Sequence, residues 1–415
     1  MTINLEPPTK LRPLVRQTHQ VAMNLLRPNS RRYDLAEHEY PKELDMLAAM
    51  VDGLSASGQT SGAGASGVRR TASAVEGGDG PAINEEVRNG ANLASVLSVM
   101  EMCWGDVGLL LSMPRQGLGN AAIASVADDE QRARFDGVWA SMAITEPGCG
   151  SDTANITTTA TLDGDEYVIN GEKIFVTAGE RSDVVVVWAT LDRTKGRAAI
   201  KSFVVPKGTP GLSVERLERK LGIRSSDTAT IRFEDCRVPR ENLLGSPEID
   251  GGSGSRGFAG AMATFDSTRP VVAAMAVGCA RASLELTREL LEEAGVVIDY
   301  DRPALVQSAA AATYLQLEAD WEAAYLLTLR AAWMADNGRP NSLEASMAKA
   351  KAGRAGSDVT LRCVELAGSL GYGEHELLEK WARDSKILDI FEGTQQVQQL
   401  IVARRLLGKT SAELK

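Results

Sequence analysis

The chain has 415 residues, of which 44% are hydrophobic and 24% charged, as in a soluble globular protein with room for two or three domains. The net charge of −10 argues against nucleic-acid binding, and three histidines are too few for a histidine-rich metal centre, so we expect no metal. Five scattered cysteines without a C-x-x-C pair fit a reducing compartment, which predicts a cytoplasmic protein. The best membrane candidate, residues 271–280, is shorter than the ~20 residues of a membrane span, so we expect no membrane insertion.

The first 140 residues have a helical pattern and are predicted to form an N-terminal α-helical domain. An apolar stripe over residues 11–25 predicts a docked first helix and outweighs an Arg-rich start that is typical of a transit peptide. Further helices are predicted from Pro41, at the first helical position, to Leu54 and from Glu85 to Met113. Residues 55–80 are rich in Gly, Ser and Ala and are typical of a flexible insertion.

Residues 141–250 change to a strand pattern. Strands are predicted at 157–162, 166–170, 173–177, 184–188, 203–205 and 229–238. Asp163-Gly164 and Asn170-Gly171 are predicted to make tight turns between the first three strands. Several short strands without intervening helices predict a compact antiparallel sheet or barrel as the middle domain.

Residues 251–415 are predicted to form a C-terminal helical bundle after a Gly/Ser-rich link, 251–257. Apolar residues share helical faces over 272–290 and 321–333, and further helices are predicted at about 342–368, 376–389 and 397–407. The order of elements gives an α+β multidomain protein without the strand–helix alternation of a Rossmann fold.

Four stretches carry residues suited to chemistry, although each also has a simple structural interpretation. Residues 145–152, T-E-P-G-C-G-S-D, expose backbone N–H groups that suit an anionic ligand, or form an interdomain turn. Residues 171–177 read as a strand after a turn, and 265–270, F-D-S-T-R-P, as the start of a long helix. Glu392 precedes a glycine at a helix entrance, where Thr394 is a candidate N-cap.

The combination of motifs is far more specific than any one of them. In chain order the sequence contains T-E-P-G-C-G-S-D, G-E-K-I-F-V-T, K-L-G-I-R-S-S-D-T, F-D-S-T-R-P-V-V-A-A and R-D-S-K-I-L-D-I-F-E-G-T. Over nearly its whole length the chain resembles the acyl-CoA dehydrogenase family, of the bacterial, medium- or short-chain type. That family's architecture is an N-terminal α-domain, a middle antiparallel β-domain and a C-terminal four-helix bundle, which agrees with the pattern of elements.

The resemblance implies an FAD-dependent enzyme of fatty acid β-oxidation that converts an acyl-CoA to a trans-2-enoyl-CoA. Glu392 matches the base that removes the α-proton while the β-hydrogen leaves as hydride to flavin N5, and Arg269 matches its neighbour. The base needs proximity to the α-carbon and a pKa raised by a desolvated pocket. Developing charge on the thioester oxygen is expected to meet the backbone N–H of the base and a flavin hydroxyl.

Further positions follow from the resemblance. Flavin contacts are implied for Met142, Ile144, Thr145, Gly150, Ser151, Phe175, Val176, Thr177, Thr394 and Gln396, with Phe175 where many relatives carry Trp. Substrate or CoA contacts are implied for Ser151, Asp266, Arg269, Gly393 and Arg404.

The chain departs from the family where a second subunit supplies the flavin pyrophosphate and adenine contacts. Val297 stands near an expected Arg, Glu365 replaces a Gln, and Ser369 replaces a Gly. The valine lacks a charge-assisted donor and the glutamate adds like charge, so both are poor partners for a pyrophosphate. This pattern predicts a heteromer in which a paralogous subunit completes the FAD site, although the family also forms homotetramers.

Two other functions share the fold. One is a non-catalytic or partly catalytic subunit of a heteromeric dehydrogenase, against which Glu392 argues. The other is an oxidase, either an acyl-CoA oxidase or a nitroalkane oxidase, and the latter would be expected to use an aspartate base. The electron acceptor implied for a dehydrogenase is an electron-transferring flavoprotein. The acyl chain length is not readable from the sequence.

Overall fold

The computed structural model describes residues 8–56, 90–114, 118–249, 256–410 and 413. Its N-terminal part is helical. The helices are α1 (Arg12–Val21), which continues through a π-helical stretch (Ala22–Leu26) into α2 (Arg27–Ala36), then α3 (Glu43–Ala56), α4 (Ala91–Gly105), α5 (Val107–Leu111), α6 (Leu118–Val126) and α7 (Asp129–Arg134). The predicted docked first helix is confirmed, because Ala22 and Leu26 are fully buried in the core.

Two predicted helix boundaries in this part were wrong. Helix α3 begins at Glu43, and Pro41 lies before it in a turn whose carbonyl accepts the N–H of Leu44. The helix predicted up to Met113 is divided at Asp106, whose carboxylate caps α5 by accepting the N–H of Leu109. Residues 57–80 of the predicted insertion and 85–89 of the predicted helix lie outside the described residues.

The middle part is one seven-stranded sheet. The strands are β1 (Ala140–Ala143), β2 (Thr159–Asp163), β3 (Glu166–Thr177), β4 (Val184–Thr190), β5 (Ile200–Pro206), β6 (Leu212–Leu217) and β7 (Thr228–Pro239). They pair in the order β1-β4-β2-β3-β7-β6, with β5 on β4. The predicted turn at Asp163-Gly164 is confirmed, since Asp163 pairs with Glu166 across it.

The sheet differs from the prediction in two ways. It is mixed, because β1 and β2 both run parallel to β4, whereas a purely antiparallel sheet was expected. Asn170-Gly171 is a bulge inside the continuous strand β3, not a turn. A side chain at Gly171 would come within 2.5 Å of Thr158 Oγ1, so glycine allows the neighbouring segment to approach here.

The C-terminal part is a helical bundle. Its helices are α8 (Arg256–Glu293), α9 (Ala309–Asp336), α10 (Ser342–Ala367), α11 (Ser369–Tyr372), α12 (Leu378–Ser385), followed by a 3-10 turn (Lys386–Asp389), and α13 (Gln395–Leu407). The motif at 265–270 was predicted to open α8, but it lies inside this helix, with Pro270 within it. Residues 251–255 of the predicted link lie outside the described residues.

Helix α8 also bears on the prediction that no segment is apolar for long enough to span a membrane. Among the described residues, Thr268–Glu293 meets the criteria of length and composition for such a helix, so that prediction was wrong for this segment. However, 78% of its apolar window is buried inside the protein. Helices α4, α9 and α10 pack around it, so α8 is the central helix of the bundle.

A buried charge network, which we call the Lys380 network, connects the three parts of the chain. Lys380 in α12 binds the carboxylate of Asp106 and lies 2.6 Å from that of Asp384. Asp384 in turn accepts the backbone N–H of Ile223 from the middle part. Burial disfavours the ammonium, but the two carboxylates raise the pKa of Lys380 above its usual value.

Candidate active site

The segment between the 3-10 turn and α13 holds Glu392 in an unusual backbone conformation. Glu392 has φ of 54° and Gly393 has φ of 91°, and the left-handed region is uncommon for a residue with a side chain. Thr394 ends the segment as the N-cap of α13, because its hydroxyl accepts the N–H of Val397 at 3.4 Å. The cap predicted for Thr394 is confirmed, and conformational strain of this kind needs support from its surroundings.

Two buried side chains hold this segment. Gln398 Nε2 donates to the carbonyl oxygens of Glu392 and Gly393, each at 3.1 Å. Lys349 in α10 donates from Nζ to the Gly393 carbonyl at 2.7 Å, and its side chain is fully buried. A Cβ on Gly393 would lie 2.4 Å from Gln398 Nε2, so glycine is required for this contact.

The Glu392 carboxylate accepts a hydrogen bond from the Thr268 hydroxyl of α8. Removal from water raises the pKa of Glu392, while the Thr268 hydrogen bond and the charges of Lys349 and Arg269 oppose that rise. Burial of Lys349 itself lowers the pKa of its ammonium to about 8. A carboxylate whose pKa is raised by burial, while positive charges favour its ionised form, is suited to act as a general base.

A buried ion pair organises the loop at 145–152. Lys173 Nζ lies 2.7 Å from a carboxylate oxygen of Glu146, and the backbone and hydroxyl groups of Thr157 and Thr158 donate four further hydrogen bonds. Burial alone would raise the pKa of Glu146, but the ammonium and these donors lower it to about 2. Burial also lowers the pKa of Lys173, and Glu146 limits that fall. The loop is therefore fixed to β3.

The loop and β3 together form an open surface. Phe175 has φ of 57° and is 60% exposed, and Cβ atoms built on Gly148 and Gly150 would meet no heavy atom closer than 3.9 Å. The N–H of Ile174 donates to the Thr145 carbonyl at 2.9 Å, so the glycine loop lies beside the strand that carries the exposed ring. An exposed aromatic side chain next to accessible backbone fits a flat ring system such as the isoalloxazine of FAD.

Contacts connect the sequence motifs to one another. The Asp227 carbonyl of K-L-G-I-R-S-S-D-T accepts the N–H of Ala178, just after β3. Ile223 of the same motif donates to Asp384 of R-D-S-K. Thr268 of F-D-S-T-R-P then binds Glu392. Motifs far apart in sequence thus form one continuous set of contacts.

The structure places the other predicted site residues as follows. Val176 and Ile144 are buried, Met142, Thr145 and Thr177 are partly buried, and Ser151 and Gln396 are exposed. Arg404 lies in α13, about 14 Å along the helix from its start at ~1.5 Å per residue, and is not adjacent to Glu392 along the chain. Asp266 lies in α8. Among the described residues, no group of three His, Cys, Asp or Glu could hold a metal ion.

Sequence reasoning did not identify Lys349, Gln398 or Thr268 as part of the site. A signal for Lys349 was present, because it falls on the face of α10 that carries the buried Ala345 and Ala352. A lysine on such a stripe needs a buried acceptor. Gln398 and Thr268 carried no comparable signal.

The three positions that depart from the family pattern lie at the surface. Val297 is 76% exposed, and Glu365 and Ser369 are also exposed. Glu365 pairs with Arg362 one helical turn earlier, at 2.5 Å. The Val297 side chain has no hydrogen-bond donor and the Glu365 carboxylate carries like charge, so neither side chain suits a pyrophosphate.

Comparisons with known proteins agree with this geometry. Residues 141–236 match the family model for the acyl-CoA dehydrogenase middle domain, and residues 255–407 match the model for the C-terminal domain. The mitochondrial short-chain specific acyl-CoA dehydrogenase of Mus musculus is 38% identical over 64% of this chain and 62% of its own length. The short-chain specific acyl-CoA dehydrogenase of Clostridium acetobutylicum is 37% identical over 63% of this chain and 67% of its own length. The matched region thus spans less than two thirds of the mouse relative.

The fold extends the likeness over nearly the whole chain. The structure of butyryl-CoA dehydrogenase from Megasphaera elsdenii superposes with a TM-score of 0.77. That superposition covers 98% of this chain and all of the other, at 26% identity. The predicted fold class is confirmed, with the mixed sheet as its correction.

Proposed function

The chain belongs to the acyl-CoA dehydrogenase family, and we propose that it catalyses the FAD-dependent α,β-dehydrogenation of an acyl-CoA to a trans-2-enoyl-CoA. The observation that carries the proposal is the Glu392 carboxylate. It lies on a strained segment, its pKa is raised by removal from water, and it is supported from two helices. A surface glutamate that only capped a helix would need none of these features.

In the proposed reaction Glu392 takes the α-proton of the acyl group onto its carboxylate. A raised pKa makes it a stronger base, provided that it is ionised when substrate arrives. Lys349, Arg269 and the Thr268 hydroxyl favour that ionised form. Gly393, which has no side chain, lets Gln398 approach and hold the backbone next to the carboxylate.

FAD fits part of the site. The face formed by Phe175 to Thr177 and the loop from Thr145 to Ser151 would hold its ring, with Met142 and Ile144 behind the loop. When bound, FAD would supply the acceptor for the β-hydrogen, which leaves as hydride.

We propose that the active species is a heteromer. Val297 has no side-chain donor and the carboxylate of Glu365 would repel a pyrophosphate, so a paralogous subunit would supply those FAD contacts, while this chain would supply Glu392. A catalytic homotetramer is the alternative that the experiment below separates.

The proposed substrate is a short acyl-CoA, since both curated relatives described above carry the name short-chain specific. We further propose a cytoplasmic enzyme of β-oxidation with an electron-transferring flavoprotein as acceptor.

The test is enoyl-CoA formation from butyryl-CoA with a dye acceptor. The full chain is produced alone and together with a paralogous subunit, and bound flavin is quantified in both. We expect Glu392→Gln to lower the rate by about 10²- to 10⁴-fold, the usual contribution of a general base. The matched control, Glu292→Gln at an exposed pair with Arg288, should leave the rate unchanged. Full flavin content and activity of the chain alone would contradict the heteromer, and equal rates with Glu392→Gln would contradict the dehydrogenase.

A further inference from the structure

Lys349 places a charged ammonium in the core, where a residue that only packs would be apolar. Its side chain is fully buried, on the face of α10 that also carries the buried Ala345 and Ala352. Burying an ammonium is costly unless acceptors compensate for the lost water. The Lys349 ammonium donates to the carbonyl of Gly393, the residue next to the proposed base.

Gln398, in the helix α13 that follows the segment, holds the same backbone. Its amide donates to the carbonyls of Glu392 and Gly393, whereas Lys349 donates to that of Gly393. Because a trans peptide is planar, fixing the Glu392 carbonyl also fixes the direction of the Gly393 N–H, which points the opposite way. The two side chains therefore determine the orientation of the backbone around the base.

Lys349 also contributes charge. The charged groups acting on it are Asp389 from the 3-10 turn, Glu392 from the strained segment and Arg269 from α8. Its ammonium lowers the pKa of Glu392, in opposition to burial. Neutralising Lys349 would therefore raise the pKa of Glu392 further.

We propose that Lys349 is a positioning residue which, together with Gln398, holds the Glu392–Gly393 peptide in its left-handed conformation and places a positive charge at the Gly393 carbonyl, one residue from the Glu392 carboxylate. Lys349 acts through Glu392 and not on the substrate. This role rests on the proposed function, because it assumes that Glu392 is the base.

The two contributions separate in matched variants. Lys349→Met removes the hydrogen bond and the charge, Lys349→Arg keeps the charge, and Gln398→Met removes hydrogen bonds only. Lys351→Met, on the same helix but at a partly exposed pair with Asp320, is the control. Each is tested in the full chain with its partner subunit and FAD.

The first measurement is exchange of the α-hydrogen of butyryl-CoA with solvent deuterium, followed by mass spectrometry across pH. We expect Lys349→Met to slow exchange at neutral pH by about tenfold to a hundredfold, as for a misplaced catalytic group. The acid limb of the exchange rate against pH should move to higher pH in Lys349→Met. Lys349→Arg should return that limb to its wild-type position. Gln398→Met should slow exchange without moving the limb. Lys351→Met should match the wild-type protein.

The second measurement is backbone amide exchange of residues 391–395 without substrate. Lys349→Met and Gln398→Met should both increase it, and Lys351→Met should not. If Lys349→Met does not fold, Lys349→Arg and Gln398→Met decide the outcome. The positioning role alone would be overturned if the Lys349 and Gln398 variants kept the wild-type α-hydrogen exchange rate, acid limb and amide exchange, while Glu392→Gln abolished α-hydrogen exchange. An active Glu392→Gln protein would instead overturn the proposed function.

Discussion

Replacing Lys173 with methionine would leave the Glu146 carboxylate buried without its counter-ion. Removing one partner of a buried ion pair typically costs about 3–5 kcal/mol, because the remaining charge is uncompensated. The four donors from Thr157 and Thr158 remain, so we expect the lower end, about 3 kcal/mol of unfolding free energy at pH 7.

The effect should depend on pH. In the wild-type protein Glu146 has a pKa of about 2 against an ordinary value of 4.5, so its stabilising contribution persists at neutral pH and is lost only as pH falls through that interval. Without Lys173, burial is opposed only by the Thr157 and Thr158 donors, so the pKa of Glu146 should rise, and protonation then relieves the uncompensated charge. The loss of stability relative to wild type should therefore shrink as pH falls from 7 to 5.

Urea unfolding at the two pH values, followed by tryptophan fluorescence, to which the fully buried Trp188 in β4 contributes, measures this difference. A loss of about 3 kcal/mol corresponds to a midpoint shift of about 1 M or more at usual urea m values. Arg237→Met, at an exposed pair on the same sheet, should change the midpoint little. A loss below about 1 kcal/mol, or an equal loss at both pH values, would refute the reasoning.

Two further predictions concern the base. Thr268→Val removes a hydrogen bond that favours ionised Glu392, so its pKa should rise. The acid limb of the rate profile should then move to higher pH with the alkaline plateau kept, whereas an equal loss at every pH would contradict this origin. Gly393→Ala places a Cβ 2.4 Å from Gln398 Nε2 at a φ of 91°, and we expect turnover to fall by about a hundredfold. The strain at this φ should also lower the thermal midpoint, and a wild-type rate would show that the segment tolerates the side chain.

Much of the fold was readable because local patterns and tertiary structure agree. The turn at Asp163-Gly164 was predicted correctly from its residues, and so were the helical faces of the bundle. Asn170-Gly171 was misread because a glycine after asparagine serves a bulge as well as a turn, and the approach of Thr158 decides between them. Strand β6 was missed because its edge position leaves Glu215 and Arg216 exposed, which obscures a strand pattern.

The site residues also fall into those that a local sequence pattern indicates and those that it does not. Glu392 was recognisable from a contiguous motif, and so were the loop at 145–152 and the position of Phe175. Lys349 reaches Glu392 from another helix, and no local pattern specifies which carbonyl a buried lysine contacts. The catalytic assignment of these residues stays a prediction that the variants above test.

The Lys380 network has a consequence for how the chain can be divided. Asp106, Lys380 and Ile223 come from all three parts of the chain, yet they share one buried set of charges and hydrogen bonds. A fragment that ends between these parts would carry a buried ion without its partner. A chimera made by exchanging one part with a relative would therefore fold only if the donor supplied the matching residue. The boundaries near residues 140 and 250 divide the sequence into regions of different pattern, but the Lys380 network makes the three regions a single unit for recombination.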